Sequence, residues 1–274
     1  RTPGETPAGA LPAVTVRTAA QAEAAREAGR TVAWYPEDNR PAAMDALADI
    51  MAPGDWLALP QVCEEASLEA LRDWVTAHRD LLGGVVLGTI GQLGLDWGVP
   101  HGAGSGIPVM NREAAELLRE EGCAFVTASP ELTGAELKEL LRHMPMPCRV
   151  TVYGRTQLML LHHCPARTAL GLREEHRDCR LCDTGDERCL RGQRLEDRKG
   201  YAFPLLRERL EEGCLVRLMN ALPTDVMAQR VDGVRTVELT EESGAETEDL
   251  LCRFRTYRRS EGTTTRGHWN RETE

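Results

Sequence analysis

The chain has 274 residues, 42% hydrophobic and 28% charged, and its 43 Asp and Glu outnumber its 33 Lys and Arg to give a formal net charge of -10. That length suits one large domain, or one domain with a smaller appendage. The acidic balance removes any general attraction to nucleic acid or anionic lipid and leaves only a local basic patch to bind either; no apolar run reaches the roughly 20 residues of a membrane helix, so no membrane partner is expected.

Residues 1–10 read as a linker rich in Pro, Gly and Thr. The start has neither an initiating Met nor the blocks of a signal peptide, so the expectation is a piece of a longer protein whose other domains are partners. From 11 to 160, short apolar or β-branched runs alternate with helical segments. The runs are 13–16, 31–35, 56–59, 85–87, 107–110, 124–127 and 150–153, each of a length and composition that suits a buried strand.

The helices carry their own punctuation. Residues 19–28 are Ala-rich and stop at Gly29, a residue suited to the end of a helix. Ser67 is read as a cap before Leu68, Leu71 and Val75. Asn111 is read as a cap for a helix that ends at Gly122, and Thr133 with Glu136 forms a capping box. Repeated strand–helix units predict an α/β fold with TIM-barrel-like parallel repeats, with a doubly wound open sheet as the alternative. In either case ligands sit at the C-terminal ends of the strands.

After Gly154 the alternation fades, and residues 161–274 are expected to form a smaller cysteine-cluster and C-terminal region. Five of the nine cysteines fall between 164 and 214. Cys179 and Cys182 form a C-x-x-C, a spacing that lets two thiolates meet one metal atom or one face of a cluster. Cys164 and Cys214 would be brought in by the fold. Four thiolates suit an iron–sulfur cluster or structural zinc. The single close pair, and Pro165 directly after Cys164, favour the cluster. Cys189 is a rival ligand, while Cys63, Cys123, Cys148 and Cys252 stand apart and read as structural. An odd cysteine count without a secretion signal fits a reducing, cytoplasmic setting.

A series of motifs then appears in order: Gly91-Gln92-Leu93-Gly94, Ser129-Pro130-Glu131-Leu132, Val152-Tyr153-Gly154-Arg155 and His163-Cys164-Pro165. It continues through Asp197-Arg198-Lys199-Gly200, Phe203-Pro204, Asn220-Ala221-Leu222-Pro223 and the Gly262–His268 segment. This series resembles peptidase family U-thirty-two, the collagenase-like proteases, and within it the C-terminal part of the long members, among them the ribosomal RNA hydroxylation factor. The resemblance implies a barrel-like fold and a four-iron–four-sulfur (4Fe-4S) cluster on Cys164, Cys179, Cys182 and Cys214. It also implies oxygen-independent hydroxylation of an RNA base, with prephenate as a co-substrate, or alternatively proteolysis of a peptide. A metal-stapled scaffold domain is the non-enzymatic alternative.

Three residues are the catalytic candidates. Glu131 stands at an expected strand end, where a catalytic carboxylate is usually placed, although it also suits the helix N-terminus beside it. Arg155 and Arg198 have the guanidinium fork that grips carboxylates and phosphates, with Arg167 and Lys199 as further cations. The chain has no H-E-x-x-H and no G-x-S-x-G, and the adjacent pair His162-His163 points in different directions on any regular element.

Overall fold

The computed structural model describes residues 11–172, 181 and 192–270. The chain alternates β1 (Val14–Val16), α1 (Ala19–Glu27), β2 (Val32–Trp34), α2 (Pro41–Ala48), β3 (Asp55–Ala58), α3 (Glu65–Ala77) and β4 (Leu82–Leu87). It continues with β5 (His101–Ala103), α4 (Arg112–Glu120), β6 (Val126–Thr127), α5 (Gly134–Arg142) and β7 (Cys148–Gly154). Among the described residues no helix is long and apolar enough to cross a membrane.

The helix starts follow local chemistry. Thr18 and Thr133 each accept from the third backbone N–H of their helix, and the Gln21 and Glu136 side chains reach back to the cap, which satisfies two otherwise orphaned donors at each end. Asn111 caps α4 through Ala114 N–H. Ser67 does not cap α3. The helix begins earlier, after Glu64, and the Ser67 hydroxyl lies inside it and donates to Glu212.

After β7 the chain builds a second sheet from β8 (Gln157–Leu161), β9 (Arg194–Glu196), β10 (Ala202–Leu210) and β11 (Gly213–Met219), in the order β8-β11-β10-β9, all antiparallel. A short helix, α6 (Pro165–Ala169), follows β8. The chain then returns to the first sheet with β12 (Thr224–Asp225) and β13 (Val234–Glu238), and ends in α7 (Gly244–Arg255). The segment 161–274 therefore supplies most of the small sheet and also a central strand of the large one, since β13 lies between β1 and β7.

In the large sheet every pairing among β1–β7 and β13 is parallel, and only the short β12 runs antiparallel to β7. The sheet is curled. Beyond the ladders, Ala103 N–H donates to Phe125 O at 2.9 Å and Ala124 N–H to His101 O at 2.8 Å. Successive side chains alternate faces, and both faces are buried. Val14, Val16, Val32, Trp34, Leu57 and Leu87 face the helices in the main core. Ala33, Trp56, Ala58, Val86 and Phe125 form a separate cluster inside the curl.

The expected strand 107–110 is not one. Pro108 has no N–H for a ladder, and only Val109 makes an isolated bridge, to Ala128. The strand in this position is β5, which periodicity does not reveal because it is His101-Gly102-Ala103. Its glycine is set by packing: a Cβ at Gly102 would overlap the Phe125 ring, and one at Gly84 would lie 2.6 Å from Cζ3 of Trp56. The Gly102→Ala variant is expected to lose about 1–3 kcal/mol in urea unfolding, from overpacking. Gly91→Ala, where an added Cβ meets nothing within 4 Å, should stay within about 0.5 kcal/mol of wild type.

Candidate functional site

A cavity of about 60 Å³ lies at the C-terminal ends of the parallel strands. Strand ends at Thr15, Ala58, Val86 and Glu238 contribute to it, as do the following residues Arg17, Tyr35, Gln61 and Thr240. The small sheet forms the opposite wall through Leu206, Arg217 and Met219. Parallel sheets place side-chain-bearing loops at this end. The small sheet is fastened there by backbone bonds: Asn39 N–H to Arg209 O and Arg209 N–H to Glu37 O, each 2.8 Å.

The lining is strongly cationic, with Arg17, Arg149, Arg155 and Arg217. Arg149 is 2% exposed. Its Cζ lies 5.1 Å from the centre of the Phe125 ring, and its Nε is buried with no hydrogen-bond partner. Burial pulls its pKa down to about 10, against the opposing pull of Glu238. Arg17 donates from Nη2 to Arg207 O at 3.1 Å, while its Nη1 is buried and unpartnered. Burial, and then the proximity of Arg217, lower the Arg17 pKa. Arg217 stacks over Tyr35, with 4.4 Å between Cζ and the ring centre, and donates to Gln157.

Behind this lining sits an acidic pair. Tyr35 Oη donates to Glu208 Oε2 at 2.7 Å. Glu208 is fully buried, and its Oε1 has no hydrogen-bond partner. Burial raises the Glu208 pKa despite the nearby Arg217 and Arg17, and burial also raises that of Tyr35. The pair spans the two sheets, with Tyr35 following β2 and Glu208 on β10.

Of the three catalytic candidates, one reaches the cavity. Arg155 lines it, with Nη1 donating to the Asn220 and Ala221 carbonyls. Glu131 is exposed before α5, where its N–H donates to Ser129 Oγ, and it is not part of the lining. Arg198 and Lys199 are exposed in the turn between β9 and β10, Arg167 is buried in α6, and His162 and His163 are exposed after β8. Sequence reasoning misses Arg17, Tyr35, Arg149, Glu208 and Arg217. The usable signal is a charge in an otherwise apolar strand, as with Arg149 between Cys148 and Val150.

Cys179, Cys182 and Cys189 lie outside the described residues. Cys164 is half-buried at the start of α6, and Cys214 is buried on β11. The β8–β11 register pairs Leu161 with Val216, and carrying it further sets residue 163 opposite Cys214. Cys164 follows β8 at the same end of the small sheet as the start of β11, where Cys214 lies. Cys164 packs with Val216 and Leu205, on the face that alternation also gives to Cys214. Arg217 and Leu206 occupy the other face, toward the cavity. Among the described residues no group of three or more His, Cys, Asp or Glu side chains could hold a metal ion. Burial pushes the thiols of Cys63, Cys123 and Cys148 up to about 11, 11 and 12, so each stays protonated at neutral pH.

Compared with known proteins, the chain matches no family model, no curated protein and no solved structure.

The sign of the pH effect at Glu208 follows from its raised pKa in the fold. The contribution is fully present below the ordinary carboxylate pKa near 4.5 and is lost as pH rises through the folded value. Glu208→Gln removes this titration while keeping an acceptor for Tyr35. Urea unfolding at a series of pH values should therefore show the variant gaining on wild type as pH rises from 4.5. A constant difference across pH would contradict the assignment.

Proposed function

We propose that this chain is an enzyme domain built on a TIM-barrel-like ring, with its reaction in the cavity at the C-terminal strand ends. The single observation that carries this reading is the cavity itself, lined by four arginines and by Tyr35, whose hydroxyl donates to the buried Glu208. Desolvated titratable groups gathered in a cleft are the usual mark of a reaction site. Ring order β1–β7 then β13, together with the bonds from β5 to Phe125 and Ala124, supports the barrel reading.

The finer reading is oxygen-independent hydroxylation of an RNA base by a member of peptidase family U-thirty-two, and it rests on the motif series. Cys164, Cys179, Cys182 and Cys214 would hold a four-iron–four-sulfur cluster, which supplies one-electron chemistry when bound. What supports this donor set is that Cys164 packs with Val216, and that alternation along β11 gives Cys214 the same face as Val216. The other face of that sheet walls the cavity, so the thiols lie across one strand layer from Arg217. Within the cavity, Arg155 and Arg217 would orient a ligand, Tyr35 and Glu208 would hold a shared proton, and the small sheet would keep water out.

Anaerobic purification with iron and acid-labile sulfide analysis tests the cluster. The expected result is stoichiometric iron and sulfide, lost in Cys214→Ser and retained in Cys252→Ser, whose thiol is exposed on α7. Metal-free protein, zinc without sulfide, or equal behaviour of the two variants would overturn it.

A further inference from the structure

A guanidinium group buried without an acceptor is an unusual expense for a fold. An unmade hydrogen bond at a charged, enclosed group leaves its desolvation uncompensated. Three arginines of the cavity lining carry such a nitrogen: Arg149 at Nε, Arg17 at Nη1 and Arg155 at Nε. Arg155 and Arg217 also have partners within the fold. Arg155 is held by two carbonyls and lies 3.9 Å from Glu241. Arg217 is spread between Gln157 and the Tyr35 ring.

The carboxylates nearby do not fill the gap. Glu238 accepts from Thr151 at 3.1 Å. It influences Arg149 through space, yet Arg149 Nε has no hydrogen-bond partner. Glu208 turns one oxygen to Tyr35 and is itself left with an unmatched oxygen. Glu238 thus lines the cavity without pairing with Arg149 Nε, and the arginines there keep donors to spare. A planar fork of N–H donors is matched by a planar or tetrahedral group of oxygens.

We infer that the deep end of this cavity is an oxyanion site, where Arg149 and Arg17 together grip a carboxylate or phosphate group of a small ligand. The Phe125 ring backs the Arg149 guanidinium and fixes its plane, while Arg17 approaches from the rim after β1. The volume suits one such group, with the rest of the ligand extending toward Gln61, Thr240 and the small sheet. This deepens the proposed function, because it uses the same cavity, but it does not depend on the cluster.

The test is calorimetric titration of the full chain with inorganic phosphate in one arm and malonate in the other, at constant ionic strength. Saturable binding of at least one is expected, and the arm that binds tells phosphate from carboxylate. Arg149→Met should abolish it, and Arg149→Lys, which keeps the charge and loses the fork, should weaken it about tenfold. Arg112→Gln, on the exposed face of α4, should leave it unchanged. Arg149→Met is also expected to melt no lower than wild type, since an apolar group replaces a buried unpaired charge. Binding of neither anion, as when waters alone fill the cavity, or undiminished binding by Arg149→Met, would overturn the inference. Loss of iron in the anaerobic preparation would leave this outcome unaffected, so the two readings fail separately.

Discussion

Trp56 and Phe125 meet inside the curled sheet with 5.4 Å between their ring centres, and the seat of the Arg149 guanidinium depends on that contact. A curled parallel sheet leaves an inner face that must be filled, and two aromatic side chains fill its lower part. They fit because the strands opposite give way: Gly84 and Gly102 remove the side chains that would collide with the rings. Phe125 then offers its face to Arg149, and Arg149 in turn forms the floor of the cavity. An apolar packing decision low in the sheet thus sets the orientation of a cation on the cavity floor.

The mouth is closed by a different kind of interaction. The small sheet docks through backbone bonds at 37–39 and 209, through Arg207 on Glu37 at 2.8 Å, and through Tyr35 on Glu208. Several of these groups are charged and buried, which burial alone disfavours. The apolar layer between strands and helices carries the stability of the fold, whereas the interface between sheets gives up stability to hold polar groups in fixed places. Proteins tend to depart from the rules of good packing where function demands it, and here such departures cluster at one end of one sheet.

The parallel strand–helix alternation was legible because it rests on local signals. The apolar runs at 13–16, 31–35 and 56–59, the capping box at Thr133 and the cap at Asn111 work over a few residues and are read directly. β5 was illegible because its composition answers to Phe125, a residue far along the chain. β13 reads as an apolar stretch, but nothing local tells that it inserts between β1 and β7. The cavity was the least legible part. Arg17, Tyr35, Arg149, Glu208 and Arg217 come from separate elements, and only the curl of one sheet and the docking of another bring them together. Arg155 is legible through its motif and its guanidinium fork, whereas Glu131, chosen for an expected strand end, lies outside the lining because its segment turns into α5.

The small sheet gives the two halves of the proposed chemistry their separation. Alternation along β11 sends Arg217 to the cavity and Val216, with Cys214, to the opposite face. A sheet is one backbone layer thick, so a group held by the thiols would act on the cavity only through that layer. Contact between a cavity ligand and the thiolates would require β11 to turn over, and β11 is bonded on both edges, to β10 and to β8. Turning one strand by a residue would reverse every side chain along it, burying Cys214 toward the cavity and withdrawing Arg217 from Tyr35. Under the proposed function the roles would divide accordingly: the cavity face would position a ligand, and the thiol face would brace or exchange electrons through a rigid strand without touching it.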